Sequence, residues 1–215
     1  MAFIETIPAE HAVDDVKAMY ERQFLHYGYV PNYAFVFCHR PEVMKRWAEL
    51  QSGIKRHMDK RRFELVTFAA AHALRSTLCS LAHGKALTEF LSPADVMAIA
   101  RGEAPKSLTD AEAAMLEFAR KVARDASSVT AGDVERLKSL GLTDAEIFDI
   151  TATAAARAFW TKVIESLGVE ADAPFLAMDR DFRDALTAGR PVVAVDDPAG
   201  TGKLAEQRAR DAIRK

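Results

Sequence analysis

Hydrophobic and polar positions follow helical spacing along most of this 215-residue chain. Clean alternation of apolar and polar residues is confined to a short segment, 191–195. We therefore predict an all-α protein. The expected helices lie near 12–25, 41–57, 60–74, 77–91, 93–101, 110–124, 131–139, 144–166 and 174–187.

Residues that favour helix ends support these bounds. Ser92-Pro93 places a capping hydroxyl before a proline at the first helical position. Capping boxes, in which a hydroxyl and an acid three residues later satisfy free N–H groups, are predicted at Thr109–Glu112, Thr143–Glu146 and, more weakly, Thr130–Asp133. Gly168 follows a helical pattern, where a left-handed residue ends a helix.

Candidate chemistry concentrates around Cys79 and His83. Residues four apart share one face of a helix, so the thiol and the imidazole can meet there. An imidazole near a cysteine helps to form the thiolate, which is the nucleophile of thiol redox chemistry. Glu64, fifteen residues before Cys79, is a carboxylate that can hold the imidazole or carry a proton. The alternative is that Cys79 is a small core residue.

The spacing around these residues resembles the core motif of the AhpD-like / carboxymuconolactone decarboxylase family, in its peroxidase-related alkylhydroperoxidase branch. That motif is a glutamate, eleven residues, Cys-x-x-Cys, three residues and a histidine. Glu64, Cys79 and His83 match it without a gap, and Ser76 stands in place of the first cysteine. Further similarity covers roughly residues 10–175, in the segments Gly28–Asn32, His39–Val43, Leu142–Ile147 and Leu167–Val169.

This resemblance implies an AhpD-like helical bundle over residues 1–187, assembled as a homo-oligomer, a trimer or a hexamer. A linker and a short helical extension, 188–215, would lie outside that domain. No glycine or proline occurs between Gly53 and Gly84, so the sequence alone allows one long helix there. The resemblance implies a break near Ser76 and Thr77, which would place Cys79 in the first turn of a helix, where the dipole favours a thiolate.

The function implied by the resemblance is hydroperoxide reduction in antioxidant defence. Cys79 would attack the peroxide, with His83 and Glu64 as a proton relay. In two-cysteine members the first cysteine resolves the resulting sulfenate, and Ser76 cannot do so. An external thiol is then the expected reductant, unless Cys38 resolves the sulfenate or the cycle is lost. Cys38 lies in an apolar run, which favours a core position.

Three other functions stay open. A lyase acting on an organic acid or lactone would use Glu64 and His83 as an acid–base pair, with Arg75 as the nearest cation in sequence. A zinc site would use His72 together with Glu64, Cys79 and His83. A catalytically degenerate helical scaffold would use none of them.

Composition narrows the setting. The net charge of −2 argues against nucleic-acid partners, because phosphate binding needs clustered cations. No apolar run approaches the ~20 residues of a membrane span, and no signal peptide is visible. Two cysteines do not make a disulfide framework, so the cytoplasm is the expected compartment. The motif calls for no cofactor.

Overall fold

Residues 2–192 are described by the computed structural model, and within this range the chain forms helices and no strands. The all-α prediction is therefore confirmed. The α-helices are α1 (Asp14–Tyr27), α2 (Asn32–Val36), α3 (Pro41–Lys55), α4 (Lys60–Ala73), α5 (Thr77–Leu87), α6 (Pro93–Ala100), α7 (Asp110–Asp125), α8 (Ala131–Ser139), α9 (Asp144–Ser166) and α10 (Arg180–Leu186). Short 3-10 helices are formed by Ala9–His11, Phe37–His39, Ala126–Ser128 and Ala173–Ala177.

Two predicted helices differ from the observed ones, and one observed helix was not predicted. The predicted helix 174–187 is two pieces, because Asp179 caps a new helix by accepting the N–H of Phe182 after an extended Met178. The predicted helix 77–91 ends at Leu87. The short helix α2 follows Pro31 and was missed, since five residues are too few to show a helical period.

The predicted capping signals are present. At the start of α9 the Thr143 hydroxyl accepts the Glu146 N–H, while the Glu146 carboxylate accepts the Thr143 N–H. The box that begins α7 is formed in the same way, and Ser92 caps α6. At the start of α8 the Asp133 carboxylate accepts the Thr130 N–H and hydroxyl, while the Asp133 N–H donates to the Thr130 carbonyl. Local sequence thus determines where these helices begin.

Helix α4 lies at the centre of the bundle and packs against α5, α7 and α9. Its residues Leu65–Val66 and Phe68–Ala71 are completely buried. The run of small residues Ala69–Ala71 lets neighbouring helices approach α4 closely. A side chain that α4 directs toward α5 or α9 is therefore held in the protein interior.

The chain breaks between α4 and α5 without a glycine or a proline. Arg75 adopts a left-handed conformation, with φ of 60°. The N–H of Ser76 donates to the Ala71 carbonyl and the N–H of Arg75 to the His72 carbonyl, which is the hydrogen-bond pattern of a Schellman C-cap. The predicted break is confirmed, and Cys79 lies in the first turn of α5.

Within residues 2–192, none of the helices combines the length and the apolar character that crossing a bilayer requires. The predicted domain boundary after residue 187 stays a prediction. Residues 193–215, which hold most of the predicted extension and most of the alternating segment 191–195, lie outside the described residues.

Two glycine substitutions test the packing of α10 on α5. Gly84→Ala should lower the free energy of unfolding by about 1–3 kcal/mol, since the added Cβ overlaps the fully buried Leu186 side chain and comes within 3.2 Å of Phe68. Gly132→Ala is the control, because Gly132 is exposed in α8 and the added Cβ would lie 3.6 Å from Thr130 Oγ1. This variant should raise the free energy of unfolding by up to about 1 kcal/mol. Urea unfolding measures both, and equal effects of the two variants would contradict this packing.

Candidate active site

Glu64 of α4 and His83 of α5 form a direct hydrogen bond. His83 Nδ1 lies 2.6 Å from Glu64 Oε2. The Glu64 side chain is 9% exposed and the His83 side chain 18% exposed, so the pair is sheltered but reaches the protein surface through the imidazole. The structure therefore brings together two of the residues that the sequence analysis selected.

The surroundings fix the protonation states of this pair. Burial raises the pKa of Glu64, but the hydrogen bond to His83 and the charges of Lys55 and Arg157 outweigh it, so this pKa is lower than usual. Burial and the charge of Arg157 lower the pKa of His83, against the opposing effect of Glu64. Glu64 is thus a carboxylate and His83 a neutral imidazole near neutral pH. An ionised carboxylate only accepts, so Nδ1 carries the proton and Nε2 is free to act as a base.

Cys79 occupies the third position of α5 and is 1% exposed. Its sulfur accepts hydrogen bonds from Arg157 Nη1 at 3.7 Å and from Thr161 Oγ1 at 3.9 Å. No hydrogen bond in residues 2–192 joins the sulfur to His83. The spacing of Cys79 and His83 predicts the imidazole beside the thiol, whereas the polar neighbours of the sulfur come from α9.

Helix α9 thus supplies residues that the sequence analysis missed. Arg157, Thr161 and Glu165 are spaced by four, so they lie along one face of the helix. The first two contact the sulfur, and the third interacts with Ser76. Polar residues at helical spacing on a buried, alanine-rich helix were the available signal. Their separation from Cys79 by 78 and 82 residues hid the connection.

Arg157 is the least usual of these residues because it is a buried cation, 7% exposed. No carboxylate of residues 2–192 lies within ion-pair distance of its guanidinium, and its Nε has no hydrogen-bond partner there. The guanidinium carbon lies 5.8 Å from the centre of the Trp47 ring, which stacks on Trp160. A buried charge is costly when it is unpaired, and the Glu64 carboxylate acts on Arg157 only from beyond ion-pair distance, so an anion in direct contact would stabilise Arg157.

Ser76 stands directly before α5 and is completely buried. Its hydroxyl does not cap the helix. It interacts with the Glu165 carboxylate without reaching the geometry of a well-formed hydrogen bond. Burial raises the pKa of Glu165, although Ser76 and Arg190 oppose that effect. Ser76 therefore lies on the same α5–α9 contact as Cys79.

The other residues considered from the sequence lie elsewhere. Cys38 is a buried free thiol in the 3-10 helix Phe37–His39, beside the Tyr20 hydroxyl. His72 stacks on Phe68 within α4. Arg75 is exposed and donates to the Ala188 carbonyl. No group of three or more His, Cys, Asp or Glu side chains in residues 2–192 is arranged to hold a metal ion, so the zinc hypothesis finds no support.

Together, α4, α5 and α9 place a base, a carboxylate, a thiol and an unpaired guanidinium in one region. Arg157 connects its two halves, because its side chain contacts the sulfur and its charge acts on both Glu64 and His83. Such a set can stabilise an anion and move a proton.

A family model matches the part of the sequence that holds three of these residues. Residues 41–121 match the model of the carboxymuconolactone decarboxylase family. The matched segment contains Glu64, Cys79 and His83 and ends within α7. Arg157 and Thr161 lie outside it. No curated protein matches the sequence.

Solved structures share the fold. A peroxidase-related protein from Ralstonia eutropha JMP134, described as an alkylhydroperoxidase AhpD core, superposes with a TM-score of 0.71 at 23% identity, over 82% of this chain and 95% of that one. A peroxidase-related protein from Silicibacter sp. TM1040 gives 0.70 at 20% identity, over 82% and 95%. The debrominase Bmp8 gives 0.67 at 15% identity, over 84% and 96%.

The family match covers the segment that carries the glutamate, the cysteine and the histidine, and the shared fold extends over most of the chain. Residues 41–121 therefore match the carboxymuconolactone decarboxylase family, and the chain has the fold of AhpD-like, peroxidase-related proteins.

Proposed function

We propose that this protein is a thiol peroxidase that reduces a hydroperoxide through Cys79. The observation that carries the proposal is the buried guanidinium of Arg157, which has no ion-pair partner among residues 2–192 and lies 3.7 Å from the sulfur. A positive charge next to a cysteine stabilises the thiolate, the form that attacks a peroxide. An ion pair with this thiolate also gives Arg157 an anion in direct contact, which the Glu64 carboxylate, beyond ion-pair distance, does not provide.

In the first half of the cycle, the Cys79 thiolate attacks the terminal oxygen of R–O–O–H. A sulfur–oxygen bond forms and the oxygen–oxygen bond breaks, which leaves Cys79 as a sulfenic acid and releases R–O⁻. His83 Nε2 takes up the proton of the thiol, and the resulting imidazolium gives it to R–O⁻. Glu64 stabilises that imidazolium through Nδ1. Because His83 does not hydrogen-bond the sulfur, the proton travels through bound peroxide or a bridging water.

In the second half, an external thiol reduces the sulfenic acid. The first thiol displaces hydroxide, which leaves as water, and forms a mixed disulfide with Cys79. A second thiol releases Cys79 and leaves as the oxidised disulfide. Ser76 has no thiol to perform the first of these steps. The two cysteines have different neighbours, since Cys38 lies beside Tyr20 and Cys79 beside Arg157 and Thr161. We therefore assign the reduction to an external thiol rather than to Cys38.

One observation favours a second candidate, a lyase acting on an organic acid. Such an enzyme needs a cation for the substrate carboxylate. Arg157 supplies one beside the Glu64–His83 acid–base pair, whereas Arg75 faces Ala188 instead. Cys79 would then be a bystander, so Cys79→Ser would largely preserve lyase activity.

A debrominase also shares the fold and has been solved, as a cysteine-to-alanine variant, with 2,3,4-tribromopyrrole. A screen of candidate substrates for this protein should therefore include halogenated pyrroles.

Two cysteine variants test the role of Cys79. Cys79→Ser should abolish the consumption of an organic hydroperoxide in the presence of excess dithiothreitol, since it removes the nucleophile. Cys38→Ser, the matched change at the other buried thiol, should retain most of the rate. The measurement is dithiol oxidation per protein, after circular dichroism has shown that both variants are folded. Activity that survives Cys79→Ser would refute the peroxidase proposal.

Arg157→Met tests whether the positive charge beside Cys79 raises the reactivity of its sulfur. We expect the rate constant of Cys79 with hydrogen peroxide to fall on the order of 10–100-fold, since the thiolate loses its neighbouring charge. The free energy of unfolding should stay constant or rise, because an apolar side chain of similar length replaces a buried charge. Stopped-flow kinetics and urea unfolding measure the two quantities. Arg157→Lys is the control that keeps the charge, and an unchanged rate in Arg157→Met would exclude the proposed role.

Glu64→Gln tests the relay through its pH dependence. Glu64 opposes the lowering of the His83 pKa, so its neutralisation should lower that pKa further. Activity requires neutral His83, and the acidic limb of kcat/KM should therefore move to lower pH. The maximal rate should fall about 100-fold, because the imidazole becomes a weaker base. The exposed Glu103→Gln is the control. A pH profile identical to that of the wild type would show that Glu64 plays no part.

A further inference from the structure

The segment after α10 lies directly on the turn that precedes Cys79. We call Thr187–Arg190 the strap. The N–H of Gly189 donates to Thr77 Oγ1 at 2.9 Å, and Arg75 Nε donates to the Ala188 carbonyl at 3.1 Å. Arg75 is the left-handed residue of the α4–α5 break and Thr77 is the first residue of α5. The strap thus bonds to both sides of the break.

Only a glycine fits at position 189. A Cβ built on Gly189 would overlap the carbonyl oxygen of Arg75. That oxygen belongs to the backbone, so it cannot move without changing the break itself. The close approach between the strap and the break is therefore specific, and it depends on the absence of a side chain.

A third connection runs through α9. Arg190 Nη1 donates to Glu165 Oε2 at 2.7 Å and to the Glu165 carbonyl at 3.0 Å. The Glu165 carboxylate lies near Ser76, whose buried hydroxyl has no hydrogen-bond partner within residues 2–192. Arg75 and Thr77, on either side of Ser76, are thus bonded to the strap directly. Further back, the buried Leu186 packs on Gly84 at the other end of α5.

We propose that the strap is a positioning element that holds the first turn of α5 so that the Cys79 sulfur stays against Arg157 and Thr161. The inference rests on the proposed role of Cys79. Helix α5 begins without a side-chain cap, since neither Ser76 nor Thr77 accepts one of its N–H groups. Its first turn therefore lacks the local bonds that order most helix starts, and the strap replaces them from outside.

Gly189→Ala tests this proposal, with Gly132→Ala as the matched control and Thr77→Val as a milder second variant. Thr77→Val removes the acceptor of the Gly189 N–H and keeps the shape of the side chain. Each protein is treated with iodoacetamide under native conditions. Peptide mass spectrometry then gives the alkylation rates of Cys79 and Cys38, which are 1% and 4% exposed in the wild type. The alkylation rates do not depend on peroxidase turnover.

We expect Gly189→Ala to raise the alkylation rate of Cys79 at least about fivefold, while that of Cys38 stays within about twofold of the wild type. The rate of Cys79 with hydrogen peroxide should fall in the same variant, because its sulfur leaves Arg157. Thr77→Val should show smaller changes of the same kind, and Gly132→Ala none.

A parallel rise for both thiols would indicate general destabilisation, and it would overturn the proposal. Unchanged alkylation of Cys79 in both strap variants would overturn it as well. A wild-type protein without peroxidase activity would refute the proposed function and leave the alkylation test of the strap intact.

Discussion

A guanidinium placed in the protein interior next to a thiol is the constraint around which the rest of this structure is arranged. Arg157 carries a permanent charge, and no carboxylate of the described residues pairs with it. Removing such a group from water is costly unless an anion compensates it. Cys79 is the group that approaches it, and the thiolate form satisfies both partners. In the proposed function, the reactivity of the cysteine and the tolerance of a buried arginine have one common cause.

The fold provides this contact through three features. The C-cap at Arg75 ends α4 and starts a new helix, so that Cys79 lies in a first turn. The spacing of four residues along α9 directs Arg157 and Thr161 at the sulfur. Helix α4 places Glu64 in hydrogen-bond contact with His83, which lies one turn after Cys79 on α5. The Glu64–His83 pair and the Cys79 thiol are thus separate units, and Arg157, which contacts the sulfur, acts electrostatically on the pair.

Much of the fold could be predicted because local signals determine it. Helix α9 has the predicted bounds, since its capping box and the apolar pattern agree on them. The break at Arg75 gives no such signal, because an arginine replaces the usual glycine, and only the family resemblance indicated it. In the site, the spacing of Glu64, Cys79 and His83 led to the motif. Arg157 was missed because it meets Cys79 only through tertiary structure, in which α5 and α9 both pack on α4, and the two residues are 78 positions apart.

The account depends most directly on whether the Cys79 sulfur becomes a nucleophile toward peroxide. One equivalent of hydrogen peroxide, followed by dimedone and peptide mass spectrometry of the folded protein, measures this in a single experiment. The account predicts a sulfenic acid adduct on Cys79 and none on Cys38. A folded protein whose Cys79 stays unmodified while the peroxide persists would contradict it.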